Sequence, residues 1–276
     1  MIPEFPPTDG SAPSVADARV HVDACAKVHP SATLEPGVKV GPWSIIGADV
    51  HIGAGTEIAS HVVINGPTRI GRDNKIYQFN SIGDAPQDKK YAGEHTWLEI
   101  GDRNVIREYC SLNRGTVQDA GVTRIGNDNW IMAYVHVAHD CVIGNNIIMA
   151  NGTTLAGHVS VGNDVVFGAF TVVHQFCAIG AHVISAMGTV MLKDVPPFVT
   201  VSGNSAEPHG INVEGLKRRG FSGATIRELR RAYKTLYKQG LGLKDAKELL
   251  AVQGQDVPSV AQLVEFLGRC KRGIVR

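Results

Sequence analysis

The chain is poor in several things that would each have announced a function. Its five cysteines, Cys25, Cys110, Cys141, Cys177 and Cys270, are odd in number and form no Cys-x-x-Cys pair, which excludes a disulfide framework and fits a reduced, cytoplasmic setting. No eighteen residues run uninterruptedly apolar, and the opening MIPEFPPTDGSAPSVADARV carries Pro, Asp and Glu where a leader would be apolar, so neither membrane spanning nor secretion is expected. Aromatic residues make up only 6% of the chain and no nucleic-acid reading module is present, so no nucleic-acid partner is expected. A G-x-S-x-G elbow and a Walker-type loop are both missing, which leaves serine-hydrolase and P-loop chemistry nothing to rest on. The 43% hydrophobic content is that of an ordinary folded protein of one or two domains.

What the chain does have is a comb. From Val22 an aliphatic residue returns at every sixth position, through Val28, Leu34, Val40, Ile46, Ile52, Ile58, Ile64, Ile70 and Ile76 to Ile82; it resumes at Ile100, Ile106 and Leu112, and runs again from Ile125 to Ile179. A helix repeats its apolar face at three and four residues and a half-buried strand at two, so a period of six reads as the hexapeptide form of parallel β-helix. Each hexad supplies one flat face of a prism, the aliphatic residue points into the bore, and three hexads close a coil of eighteen residues. Twenty-four hexads predict eight coils, roughly 38 Å of stacked strands. Glycine follows many comb residues, as at Gly41, Gly47, Gly53 and Gly168, and is expected to sit at the corners and permit tight turning.

Two interruptions project from this scaffold. Between Ile82 and Ile100 the comb positions become Asp88 and Glu94, which reads as one full coil replaced by a polar loop over 83–99; a second loop over 113–124 shifts the phase by one residue. The comb fades after Ile179, and DVPPFVTVSGNSAEP marks a boundary. The expected organisation is an extension over 1–15, a prism over 16–205 and a helical C-terminal domain over 206–276. In the last, Ile226, Leu229, Tyr233, Leu236 and Tyr237 form one helix face and Val260, Leu263, Val264 and Leu267 another, with Thr225 and Glu228 in capping-box spacing and Gly240 and Gly254 as stops. This tail holds fourteen Lys and Arg against seven Asp and Glu, leaving the rest of the chain six acidic in excess. Such a basic end calls for an acidic protein or a phosphorylated ligand.

The eighteen-residue coil also predicts which histidines are neighbours. One coil above Ala138, His139 and Asp140 come Ala156, Gly157 and His158, and one further come His174, Gln175 and Phe176, with His136 on the lowest coil. His139, Asp140, His158, His174 and Gln175 therefore lie within about 10 Å of one another. Such a cluster supports general-base catalysis, since imidazole titrates near neutrality and Asp140 would fix its tautomer. It also supports a zinc site of three imidazoles, or mere stacking.

The segments MAYVHVAHDCVIG, TLAGHVSV, VVHQFCAIGAHV, DVPPF and NVEGLKRRGF, with the loops QDKKYAGE and NRGTVQ, closely resemble the UDP-N-acetylglucosamine 3-O-acyltransferase family, from about Val28 to the end. The resemblance implies a left-handed parallel β-helix, a homotrimer with sites between subunits, no cofactor and no metal. It also implies transfer of an (R)-3-hydroxyacyl group from acyl carrier protein to UDP-N-acetylglucosamine at the start of lipid A synthesis. By resemblance His139 is the general base, Asp140 its partner and Gly157 the oxyanion donor; Gln87, Asp88, Lys90, His136, His158, His174, Gln175, Asn212, Glu214 and Arg218 line the sugar nucleotide. Glu214 and Arg218, four apart on a helix, have the plain alternative of pairing with each other. Lys217, Arg219, Arg227, Arg230 and Arg231 are a guess at where an acidic carrier docks. Met187 stands where family members taking a fourteen-carbon chain place glycine, so a chain of about ten to twelve carbons is expected, each rejected methylene counting for about 1–3 kcal/mol. The rivals are the pathway's N-acyltransferase, which would need a uridine-binding domain ahead of the comb, a 3-amino-sugar acyltransferase, a zinc-dependent γ-class carbonic anhydrase and a non-catalytic scaffold.

Overall fold

The computed structural model describes residues 19–270 and 272–276. The predicted extension over 1–15 and the first prism residues lie outside them. From His21 the chain winds as a three-faced parallel prism, the β-helix read from the comb with the left hand that the resemblance implies. Face A stacks strands from His21–Val22 to Val199–Ser202, face B from Lys27–Val28 to Val190–Met191, and face C from Thr33–Leu34 to Ala178–Ile179. Successive coils pair in register eighteen residues apart, as in Ile58 with Ile76 and Val137 with Leu155. Every comb residue from Val40 on is therefore buried in one continuous core.

Two sequence expectations about the prism are corrected. The first loop replaces no coil: Ile70 pairs with Ile100, thirty residues on instead of eighteen, so twelve residues are inserted between faces B and C and the winding continues in phase. The second loop adds seven, since Ile100 pairs with Ile125. The prism continues where the comb fades. Ser185 and Met191 are buried in the bore on strands Ile184–Ser185 and Val190–Met191, and face B has nine strands. Finally, the glycines after comb residues are not the turning residues. At Gly53 and Gly168 a Cβ would stand 2.5 Å from backbone carbon of the next coil, so glycine is needed there for coils to approach. The left-handed backbone falls two residues later and is carried mostly by side-chain-bearing residues. On the A–B corner these are Trp43, His61, Phe79, Tyr109, Tyr134 and Phe170; on the B–C corner Asp49, Asp140, His158 and Phe176; on the C–A corner Asp73, Arg103, Asp128, Asn146, Asp164, His182 and Phe198. Stacking compensates for the strain: Tyr109 and Tyr134 lie parallel with centroids 4.9 Å apart, one coil on the next.

An antiparallel strand, Glu207–Ile211, returns against Val199–Ser202 on face A and leads to four helices, α1 (Val213–Arg218), α2 (Gly223–Tyr237), α3 (Leu243–Gly254) and α4 (Pro258–Arg269). Their second core gathers Ile226, Leu229, Leu236, Leu250, Val260, Leu263 and Leu267, the faces predicted from spacing. The cap of α2 is corrected. Ser222, not Thr225, is the N-cap and accepts from the Thr225 N–H at 3.0 Å, while Glu228 takes the Gln253 amide at 3.1 Å. Ser222 was passed over because the pattern sought a glutamate three residues on, and the box here is open. His182 joins the two cores, lying between the Phe198 and Phe221 rings with its carbonyl bonded by Asn212, the N-cap of α1.

Candidate active site

The B–C corner carries a column of one residue per coil. Asp140, His158 and Phe176 each take left-handed backbone, with φ of 60°, 62° and 65°, and so stand directly above one another. His158 lies flat against Phe176, with centroids 4.3 Å apart and planes 9° from parallel. His139, just after strand His136–Val137, packs against His158 at 5.1 Å and 89°. Its ring lies over Gly157: a Cβ there would stand 2.6 Å from His139 Cε1, so any side chain would push the imidazole away. Gly157 itself is buried, and no hydrogen bond from its N–H is found among the described residues.

The polar partners give this corner its direction. His139 Nδ1 bonds Asp140 Oδ2 at 2.8 Å, and the Asp140 side chain is almost fully buried. Burial opposes the Asp140 charge, but hydrogen bonds from His139, the Thr116 hydroxyl at 2.6 Å and the Thr116 N–H at 2.8 Å outweigh it and hold the carboxyl below its ordinary value. With Nδ1–H given to a carboxylate, His139 keeps Nε2 as its basic nitrogen, the arrangement a general base requires. His136 Nδ1 meets the Ser111 hydroxyl at 2.7 Å, and burial pulls its pKa below the ordinary histidine value, so it is neutral near pH 7. His158 Nδ1 meets Asp119 Oδ2 at 3.0 Å.

The predicted residues do not all converge in one chain. His139, Asp140, Gly157 and His158 form the cluster, with His136 beside it. His174 and Gln175 lie two coils above His136 and His139, the His174 ring bonding the Gln175 carbonyl at 3.1 Å. On the first loop Asp88 accepts from the Lys90 N–H at 3.0 Å; that bond, helped by the Lys90 charge, outweighs desolvation and holds its carboxyl below the ordinary value. Gln87 is exposed beside it. Asn212, Glu214 and Arg218 sit instead at the C–A corner, where Asn212 caps α1, and Glu214 pairs with Lys217 at 2.8 Å, not with Arg218. Arg219, guessed to meet a carrier, is held by Asp164 at 2.8 Å. Met187 lies at the A–B corner, 77% exposed.

Among the described residues, His139, Asp140 and His158 are the one group of three donors close enough to hold a metal, with ligand atoms within 4.8 Å. The zinc alternative asked for three imidazoles, and the structure brings two and a carboxylate. The sequence reading missed Ser111, Thr116 and Asp119. Ser111 was available from coil arithmetic, being the register partner of His136. Thr116 and Asp119 were not, because they lie on a seven-residue insertion with no period.

Comparison with known proteins agrees with this architecture. The model of the bacterial transferase hexapeptide matches residues 31–66 and 123–157, and that of UDP N-acetylglucosamine O-acyltransferase, domain 2, matches 194–275. A protein of Thiobacillus denitrificans named acyl-(acyl-carrier-protein)–UDP-N-acetylglucosamine O-acyltransferase is 56% identical over 91% of this chain and 100% of its own length. Among solved structures, LpxA from Acinetobacter baumannii is 47% identical with a TM-score of 0.91, covering 92% of this chain and 99% of its own. UDP-N-acetylglucosamine acyltransferase of Francisella novicida is 41% identical with a TM-score of 0.91, covering 92% and 94%.

Proposed function

Because this chain belongs to the UDP-N-acetylglucosamine O-acyltransferase family, we propose that its B–C corner carries out that family's reaction, moving an acyl group from acyl carrier protein to UDP-N-acetylglucosamine in lipid A synthesis. An acyltransferase of this kind displaces the carbonic-anhydrase and scaffold readings. The observation that carries the assignment of roles is the His139–Asp140 pair over the bare Gly157 backbone.

In the proposed step His139 Nε2 takes the proton of the sugar 3-hydroxyl as its oxygen attacks the thioester carbon. The carbonyl oxygen gathers negative charge, which the Gly157 N–H stabilises. Collapse breaks the carbon–sulfur bond, and the proton on His139 passes to the departing carrier thiolate. Asp140 stays ionised throughout and steadies the imidazolium. His136, His158, His174, Gln175, Gln87, Asp88 and Lys90 surround the sugar. Asn212, Glu214 and Arg218 hold the nucleotide, where Arg218 suits a phosphate.

The homotrimer that the family resemblance implies would bring these groups together. The base, the nucleotide run and Met187 occupy three different corners of one prism, so a single copy brings no two of them together across a groove. Three prisms side by side set the corner of one copy against another corner of the next. In that arrangement Met187 closes the acyl groove against chains longer than about ten to twelve carbons. Carrier docking falls to the exposed Arg227, Arg230 and Arg231. No helix among the described residues is long and apolar enough to cross a membrane, and we place the enzyme in the cytoplasm, where carrier protein and sugar nucleotide are made.

The test is transfer to UDP-N-acetylglucosamine from carrier proteins loaded with hydroxyacyl chains of graded length. His139→Ala should lower kcat by about 10²–10⁴-fold while light scattering still gives a trimer. Full activity in that variant would remove His139 as the base.

A further inference from the structure

The structure gives the second imidazole of the corner a carboxylate of its own. We propose that Asp119 is a positioning residue that fixes His158 with Nδ1–H turned toward the loop, leaving Nε2 to accept a hydrogen bond from a hydroxyl of the acceptor sugar. The inference rests on the reading that His158 lines the sugar nucleotide.

Stacking sets the plane of the His158 ring but not its face. Phe176 lies parallel above it and His139 packs against it at a right angle, and both contacts survive a half-turn about the Cβ–Cγ bond that exchanges Nδ1 with Cδ2. A polar partner must break that degeneracy. Asp140 is near, its Oδ2 3.9 Å from His158 Nδ1, but that oxygen already receives His139 and the Thr116 hydroxyl, and its other oxygen takes the Thr116 N–H. Asp119 Oδ2, at 3.0 Å, has no such competitors. It is also held in place, because the Asp119 N–H bonds the Thr116 carbonyl at 3.3 Å and Thr116 is clipped to Asp140. One loop thus orients both imidazoles, His139 through Thr116 and Asp140, and His158 through Asp119.

The tautomer has a chemical consequence. A neutral imidazole protonated at Nδ1 presents a lone pair at Nε2, which suits a sugar hydroxyl donor; the opposite tautomer would present an N–H, which suits a phosphate or carbonyl oxygen. Asp119 is 53% exposed at its side chain, so the effect is a bias of population.

The experiment compares Asp119→Ala and Asp119→Asn with wild type, reading the His158 ring nitrogens by ¹⁵N NMR and the steady-state constants for UDP-N-acetylglucosamine. Alanine should move the His158 nitrogen shifts away from the Nδ1–H pattern and raise KM about three- to tenfold, with a smaller change in kcat. Asparagine keeps an acceptor oxygen without the charge and should restore most of both. The variants lie on an exposed loop, and an unchanged melting temperature confirms their fold. Unchanged nitrogen shifts in the alanine variant would overturn the proposal, and so would an asparagine variant as impaired as alanine, because charge and not position would then be the cause. If wild type itself transferred nothing to UDP-N-acetylglucosamine, the functional reading would fall, and the nitrogen shifts would still decide whether Asp119 sets the tautomer.

Discussion

At the scale of single residues, the chemistry depends on keeping one buried carboxylate charged. Asp140 is ionised because three hydrogen bonds outweigh its burial, and two of them come from Thr116. Thr116→Val removes the hydroxyl donor and keeps the volume, so the Asp140 carboxyl rises toward its ordinary value. The acid limb of kcat/KM should therefore begin at a higher pH than in wild type, with the plateau near neutrality less affected; a superimposable profile would show that the hydroxyl does not hold the charge. The same bonds contribute to folding in a defined window. A carboxyl depressed in the folded state adds stability that is complete above about pH 4 and is lost as pH falls through its lowered value.

At the scale of elements, the coil is the unit, and glycine marks where coils touch. Gly53→Ala puts a methyl group 2.5 Å from the Gly71 backbone, which should cost about 1–3 kcal/mol, seen as a lower urea midpoint. Gly268→Ala lies within α4 with open space around it and should add about 0.5–1 kcal/mol. Opposite signs test whether approach, and not glycine as such, is what the prism demands. The sequence made the period, the three faces and the Asp140–His158 column legible because each is arithmetic on a fixed eighteen-residue repeat. It misplaced the turning residues, since Gly41 and Gly47 look like corners until the left-handed backbone is found at Trp43 and Asp49. The twelve-residue size of the first insertion and the contacts of Thr116 and Asp119 escaped because an insertion carries no period. The cap at Ser222 escaped because a single hydroxyl is a weak signal among many.

At the scale of the whole molecule, the proposed reaction needs corners of neighbouring copies to meet. Met187 stands three strands above His139 on face B, roughly 14 Å along the prism, and at the opposite corner of that face. If a neighbouring copy brings such corners together, Met187→Gly should move the preferred donor to a longer hydroxyacyl chain without changing the acceptor; an unmoved optimum would dismiss Met187 as the stop. Acid should destabilise the fold early. Burial holds His136 and His182 below the ordinary histidine value, the Arg219 charge adding to the effect at His182 against the pull of Asp164. The unfolded chain then takes up protons first, and stability should decline as pH drops below about 6.5, measurable as a falling melting temperature between pH 7 and 5. The prism's bookkeeping of neighbours has a mechanical side as well. Below the coils that the C-terminal helices clasp, the strand ladder of each coil is bonded only to the one before and the one after, so a pull on the N-terminal end of the chain loads a single turn at a time. The molecule would then yield like a spool, in a regular sawtooth of steps of roughly 55–60 Å per eighteen-residue turn, broken by longer steps where the two loops pay out.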